Sequence, residues 1–240
     1  LESSKAVIPG PKQLLVIKGT EYKRVTNIHF ENICFAHTRY TMPRRGEDAG
    51  QGAALTDAAV MVDYADNIGF TGCEIAHTGN NGIWMRTACR DCFIDHCYIH
   101  DIGIGAVKLG DSVKPSDEES LLTRNIRLDN SILRSGCHVI EQGEGVLIFN
   151  AAQCQITHNE IADFYYTGIS VGWTWGYDHS PAKGNKILYN HIHHINNMHQ
   201  LGGAEIAGIK FHAAIDVIFR RNHIHHCSMG IWTDWEAQGT

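Results

Sequence analysis

The sequence predicts an all-β protein, a right-handed parallel β-helix (a solenoid) of about seven coils. Three observations predict this fold. One short residue frame recurs seven times, a second frame of glycine followed by alternating apolar residues recurs six times, and tight hairpin signals are almost absent. Short strands repeated at a coil-like period are typical of solenoids, in which each coil pairs with the next.

The first frame is an apolar residue, a position three residues later that is mostly Asn, Cys or Ser, and a second apolar residue two positions further on. Its copies begin 24 to 40 residues apart, at Phe30, Phe70, Ile94, Leu128, Ile156, Ile187 and Phe219. Equivalent residues of successive coils lie ~4.8 Å apart in a β-helix. Asn159, Asn190 and Asn222 are therefore expected to stack as an amide ladder, with Cys73 and Cys97 stacked before them.

The second frame is a glycine followed by alternating apolar residues, which indicates a strand that begins at a corner. Its copies begin at Gly82, Gly105, Gly145, Gly168, Gly208 and Gly230. A β-propeller or a sandwich is the main rival. A sandwich would require hairpin turns of the Asn-Gly kind, and Asn81-Gly82 is the only such dipeptide.

Composition narrows the class of protein. The chain has 240 residues, 43% hydrophobic and 19% charged, with a net charge of −6. Disordered acidic chains are poorer in large apolar residues, and no apolar run approaches the ~20 residues that cross a bilayer. The acidic balance argues against nucleic acid as a partner. The first residues, LESSKAVIPG, lack the layout of a signal peptide, which favours a cytoplasmic location.

Eight cysteines are present without the context of a disulfide framework. We expect them to be small buried side chains. Cys89 and Cys92 have the CxxC spacing, but no second pair stands at a zinc-ribbon distance.

Function on a β-helix is carried by the outward side chains of one sheet. Alternation from the second-frame glycine places Ser170, Lys210 and Trp232 in one outward row. The next row holds Gly172, His212 and Asp234, with Trp173 and Trp175 close behind. A lysine near Asp234 would keep this carboxylate ionised, and tryptophan rings pair with the apolar faces of sugars. These are the requirements of a carboxylate that stabilises or attacks an oxocarbenium-like sugar.

Two further groups of residues are candidates for function. Glu205 lies in a predicted insertion at 193–207, and Glu236 follows Asp234 by two positions on the predicted last strand. Two such neighbours point the same way, so this pair is a weak candidate for flanking a bond. His191, His193, His223 and His225 form a predicted two-by-two patch on a different sheet. The patch either binds a metal such as zinc or nickel or consists of stacked, hydrogen-bonded imidazoles.

The last forty residues carry a family resemblance. The segment 202–240, GGAEIAGIKFHAAIDVIFRRNHIHHCSMGIWTDWEAQGT, resembles the β-xylosidases of glycoside hydrolase family 120. The run YYTGISVGWTWGY at 165–177 is shared with that family and with related β-helix glycosidases.

The resemblance implies a retaining exo-acting β-xylosidase that removes xylose from the non-reducing end of xylo-oligosaccharides. It implies Asp234 as the nucleophile and Glu205 as a further active-site carboxylate. The family's acid/base glutamate would lie beyond Thr240. Sugar-binding positions would be Lys210, His212, Trp173, Trp175, Trp232 and Trp235. No cofactor, catalytic metal or membrane partner is expected, and a homo-oligomer is compatible with the sequence.

Alternatives remain at this point. A related fucosidase- or xylanase-type β-helix enzyme would carry a DMGGIY pattern where this chain reads LGGAEIAG. A pectate-lyase-like enzyme would need clustered acids for calcium. A noncatalytic carbohydrate-binding solenoid is the third alternative. Without recognisable end caps, residues 1–240 are expected to be a segment of a longer protein, with the family's β-sandwich domain outside it.

Overall fold

A computed structural model describes residues 6–46, 49–115, 119–176, 178–196 and 206–238. Among these residues it contains 24 short strands, β1 to β24, and two 3₁₀ turns at Gln51–Ala53 and Glu119–Leu121. Every pair of neighbouring strands is parallel.

Three long sheets carry almost all of these strands. The first sheet consists of β1 (Leu15–Lys18), β4 (Ala58–Asp63), β7 (Asn81–Met85), β10 (Val107–Leu109), β14 (Glu144–Ile148), β18 (Thr167–Val171), β21 (Ile209–Phe211) and β24 (Ile231–Thr233). The second consists of β2 (Val25–Glu31), β5 (Ala65–Thr71), β8 (Phe93–Asp95), β12 (Arg127–Asp129), β16 (Gln155–Thr157), β19 (Lys186–Leu188) and β22 (Ile218–Arg220). The third consists of β3 (Cys34–Ala36), β6 (Glu74–Thr78), β9 (Tyr98–Ile102), β13 (Ile132–Arg134), β17 (Glu160–Phe164), β20 (His191–Ile195) and β23 (His223–Cys227). The short strands β11 (Thr123–Arg124) and β15 (Ala151–Ala152) pair with each other.

The chain passes through the first, second and third sheets in turn and then returns to the first. Within the described residues it completes this circuit seven times before β24 begins another. The predicted right-handed parallel β-helix of about seven coils is confirmed.

The first frame marks the corner between the second and third sheets. Its opening residues pair in sequence from coil to coil, from Phe30 with Phe70 to Ile187 with Phe219. Its closing residues pair in the same way, from Phe35 with Ile75 to Ile192 with Ile224. The predicted register of the solenoid is therefore confirmed over all seven copies.

The amide ladder forms inside this corner. Asn159 donates from its backbone N–H and from Nδ2 to Oδ1 of Asn190, both at 3.0 Å. Asn190 repeats the pair of bonds to Asn222 at 2.9 and 3.0 Å. The backbone N–H of Ser131 donates to Asn159 at 2.9 Å, so the ladder links four coils through buried groups that would otherwise lack partners.

The second-frame glycines lie at or just before the strands of the first sheet. Strands thus begin where the sequence predicted them. A Cβ on Gly82 would lie 2.6 Å from the carbonyl oxygen of Ala106, and one on Gly168 would lie 2.5 Å from that of Gly208. Their φ angles are not left-handed. Close approach between coils therefore excludes a side chain at five of the six positions, whereas Gly230 has open space around it.

The corner before each ladder residue is made by a residue with positive φ. These residues are Asn32, Gly72, His96, Asn130, His158, Tyr189 and Arg221, with φ between 46° and 60°. Only one of them is glycine, so neighbouring coils impose the left-handed conformation on side chains that rarely adopt it.

The interior is a continuous apolar column. Ile83, Val107, Val146, Ile169 and Ile209 follow one another in register along the first sheet and are all buried. All eight cysteines are free thiols, and six of them are buried. Burial raises the pKa of Cys137 and of Cys154 to about 12, as expected for inert core side chains. No helix among the described residues is long and apolar enough to span a membrane.

Candidate active site

The predicted outward rows form at the end of the first sheet that holds β18, β21 and β24. Ser170 pairs with Lys210, and Lys210 pairs with Trp232. The backbone N–H groups of His212 and Asp234 donate to Val171 and Phe211 at 2.8 Å, which sets the next row beside the first. Lys210 and His212 point away from the apolar interior, yet both are buried. They are therefore covered by other side chains and loops rather than solvated.

The Asp234 carboxylate is the centre of this arrangement. Its Oδ2 lies 3.5 Å from Nζ of Lys210 and 3.6 Å from Nδ1 of His212. Its Oδ1 accepts the backbone N–H of Trp235 at 2.9 Å. Burial alone would raise the pKa of Asp234, but the Trp235 bond, Lys210, His212 and Trp232 together lower it below its ordinary value of 3.8. The carboxylate is therefore held ionised at neutral pH.

One of the two nitrogens of the His212 imidazole already makes a hydrogen bond within the protein. Nε2 lies 2.8 Å from the carbonyl oxygen of Thr174, to which it must donate because a carbonyl only accepts. In the neutral tautomer Nδ1 therefore carries a lone pair. This nitrogen is buried, faces Asp234 and makes no hydrogen bond. A buried acceptor beside a carboxylate is a place where a ligand hydroxyl can donate.

Gly172 allows the two strands to approach at this point. Its φ is +100°, and a Cβ on it would lie 1.7 Å from the carbonyl oxygen of His212. No other residue type fits that separation without moving the backbone.

Tryptophan side chains form one wall of the site. The ring of Trp175 lies 4.1 Å from that of His212 and packs edge-on against Trp173 at 5.7 Å. Trp235 lies 5.9 Å from His212. Trp175 and Trp235 are 46% and 43% exposed, which is unusual for rings of this size. Trp232 is half-buried, with an indole N–H that makes no ordinary hydrogen bond.

The other two predicted carboxylates are Glu205 and Glu236. Glu205 lies outside the described residues, so its position is not described. Glu236 is on the part of the chain that the structure describes, but β24 ends at Thr233 and Glu236 has a φ of +63°. The expected pair of carboxylates on one strand face is therefore wrong. Glu236 instead lines a separate hollow with Asp178 and His179.

A closed region adjoins the site on the same sheet, which the sequence did not indicate. The segment around Ala53 and Thr56 folds over it, and the buried Nζ of Lys108 donates to both of their carbonyl oxygens at 2.8 Å. This Nζ also lies 4.4 Å from the ring centre of Trp84. Lys108 pairs with Leu147, which in turn pairs with Ser170. The outward row of Lys210 therefore leads directly into a covered segment.

One solved structure matches nearly the whole chain. It is a glycoside hydrolase with a TM-score of 0.84 and 21% sequence identity, and the match covers 96% of this chain and 44% of that one. A structure of XylC in complex with xylose matches with a TM-score of 0.44 and 21% identity, over 78% of this chain and 30% of that one. A DFA-IIIase from Arthrobacter chlorophenolicus A6 matches with a TM-score of 0.48 and 13% identity, over 92% and 64% of the two chains.

No family model matches the chain, and no curated protein does. The similarity to the glycoside hydrolase defines the fold class as a parallel β-helix of the kind found in that enzyme. The chain spans less than half of the length of that structure.

Proposed function

We propose that this chain carries the nucleophile side of the active site of a retaining exo-β-xylosidase that acts on xylo-oligosaccharides. The observation that carries the proposal is Asp234, a partly covered carboxylate kept ionised by the Trp235 N–H and Lys210 beside exposed tryptophan rings. The resemblance of the segment 202–240 to family 120 β-xylosidases supports the choice of sugar.

In this mechanism Asp234 attacks the anomeric carbon and displaces the leaving-group oxygen, forming a glycosyl-enzyme. A glutamate supplies the proton to that oxygen and then removes a proton from the attacking water. Retaining hydrolysis places the two carboxyl groups ~5–5.5 Å apart. Glu205 is proposed as a further active-site carboxylate, and the acid/base glutamate would lie beyond Thr240.

The remaining residues would hold the sugar. Nδ1 of His212 would accept a hydroxyl hydrogen, Lys210 would donate to a hydroxyl oxygen, and Trp173, Trp175, Trp232 and Trp235 would shape the subsite. The exo mode of action rests on the resemblance of the segment 202–240 to the family 120 enzymes.

A mechanism-based label tests the nucleophile. A 2-deoxy-2-fluoro-β-xyloside with a dinitrophenyl leaving group needs no protonation to depart, so Asp234 alone can form the adduct. We expect one equivalent of label by intact mass, on the peptide that contains Asp234, and none in Asp234→Asn. Asp178→Asn, which removes an exposed carboxylate of the neighbouring hollow, is the control and should be labelled at the parent rate.

The labelling rate also has an expected pH dependence. Although burial opposes the shift, the Trp235 N–H and Lys210 lower the pKa of Asp234, so the labelling rate should fall only at a lower pH than an ordinary aspartate would give. Labelling elsewhere, or equal labelling of Asp234→Asn, would contradict the assignment. Specific binding of xylo-oligosaccharide without any label would favour a noncatalytic carbohydrate-binding solenoid.

A further inference from the structure

The outer face of the third sheet carries a dense group of histidines. The rows that hold Lys210 and Asp234 belong to the first sheet. His191 and His223 are paired across β20 and β23, and their rings stack at 5.1 Å. His193 and His225 form the next pair, also stacked at 5.1 Å. His194 and His226 stack at 4.8 Å. The two-by-two patch expected from the sequence is thus present and is extended by one more pair.

Three of these rings direct nitrogens to one place. One ring nitrogen from each of His191, His223 and His225 lies within 4.8 Å of the others. The two Nε2 atoms of His191 and His225 face each other at 2.7 Å. Two imidazoles on one strand and a third on the neighbouring strand approach a common point because alternate residues share a face and strands lie ~4.8 Å apart.

The orientation of His225 is fixed by its other nitrogen. Its Nδ1 lies 2.5 Å from Nδ1 of His226. In the tautomer in which His225 donates to His226, its Nε2 carries the lone pair and faces His191. A second partner that fixes the tautomer of a ligand is a common feature of histidine metal sites. His193 is not available in the same way, because its Nδ1 lies 2.6 Å from His194 and its Nε2 lies 3.6 Å from Glu160.

The chemistry of the three side chains selects the class of metal ion. Neutral imidazole nitrogens are suitable ligands for Zn²⁺, Ni²⁺ and Cu²⁺, whereas Ca²⁺ and Mg²⁺ require oxygen ligands.

We propose that His191, His223 and His225 form a binding site for a divalent transition-metal ion such as Zn²⁺, separate from the candidate active site. Zn–N bonds of ~2.0–2.1 Å in tetrahedral geometry place two nitrogens about 3.3 Å apart. The facing Nε2 atoms therefore need to separate by about 0.6 Å, a change that side-chain rotation can supply. The fourth position of a three-histidine site is left for water or an external ligand.

Calorimetric titration of the chain with ZnCl₂ tests the site, with CaCl₂ as the ion of the wrong class. We expect one equivalent of Zn²⁺ with a Kd below about 10 μM, no binding of Ca²⁺, and visible absorption typical of tetrahedral coordination when Co²⁺ replaces Zn²⁺. His225→Gln and His191→Gln should each weaken binding at least tenfold. His96→Gln is the matched control, since that exposed histidine lies beside Asp95 on another sheet and should leave binding unchanged.

Two results would contradict the proposed metal site. No saturable binding of Zn²⁺ by the parent chain would overturn the proposal, as would equal losses in His96→Gln, which indicate scattered adventitious binding. If His225→Gln does not fold, His191→Gln and the anomalous signal of a zinc-soaked crystal decide the matter. The zinc peak must lie among the three imidazoles. None of these outcomes depends on glycosidase activity.

Discussion

Replacing Asn190 with alanine removes the centre of the amide ladder. The Asn190 side chain accepts two hydrogen bonds from Asn159 and donates to the carbonyl of Ile156 at 2.8 Å and to Asn222 at 3.0 Å. In the alanine variant the backbone N–H of residue 190 still donates to Oδ1 of Asn222. Three buried groups then lose this partner: the Asn159 backbone N–H, one Asn159 side-chain N–H and the Ile156 carbonyl. At ~1–3 kcal/mol for each unsatisfied group, and with some relaxation, the loss is about 3–5 kcal/mol.

Thermal unfolding followed by far-UV circular dichroism measures this loss. For a chain of this length 1 kcal/mol corresponds to ~2–4 °C, so the Tm of Asn190→Ala should fall by roughly 10 °C. Asn190→Ser should lie between parent and alanine variant, because Ser131 in the equivalent place accepts the N–H of Cys97 through Oγ at 3.0 Å. Gln155→Ala, on the half-buried outer face of β16, is the control.

Two results would refute this reasoning. One is a change in Asn190→Ala no larger than in Gln155→Ala, which is expected to shift stability by at most ~0.5 kcal/mol. The other is a serine variant that is no more stable than the alanine variant. Either would mean that the ladder bonds merely replace equivalent bonds to water.

Two other changes have clear expected outcomes. Gly172→Ala places a Cβ 1.7 Å from the carbonyl oxygen of His212 and should lower both the Tm and the labelling rate of Asp234. Gly230→Ala, which has open space around it, should change neither. Equal effects of the two substitutions would contradict the steric reasoning. Among the eight thiols, Cys34 is exposed and six are buried. The eighth, Cys227, is half-buried. Ellman's reagent should therefore show one fast phase from Cys34 before unfolding, with Cys227 slower, and a fast phase that persists when both Cys34→Ser and Cys227→Ser are made would show that the core is open.

The repeat made most of the fold predictable. Register in a solenoid follows from equivalent positions, so Phe30 to Phe219 could be aligned from the sequence alone. The same alternation placed Ser170, Lys210 and Trp232 in one row, and it brought His212 and Asp234 to adjacent places. What could be predicted was whatever depends on the strand period and on equivalence between coils.

Other features depend on contacts that neither the strand period nor the coil repeat determines. Tyr189 and Arg221 have φ of 60° and 57°, although neither residue type favours the left-handed region. Pairing with the neighbouring coil, on one side for Arg221 and on both sides for Tyr189, imposes this conformation. The end of β24 at Thr233 separated Glu236 from Asp234, because a strand boundary is set by pairing as well as by alternation. The segment held by Lys108 includes the 3₁₀ turn Gln51–Ala53, and no repeat position in the sequence indicates its path.

The amide ladder inside the corner keeps the coils in register, whereas a ligand would contact the loops and the outward side chains. Its residues bond to one another across 28 to 32 intervening positions, and the chain between them can lengthen outward without altering those bonds. Copies of the frame already stand 24 to 40 residues apart on an unchanged register. The length of a loop can therefore change while the register of the coils stays the same. Exchanging the segment over Lys108 with loops of other lengths offers a direct way to reshape the surface beside the outward rows while the coils keep their places.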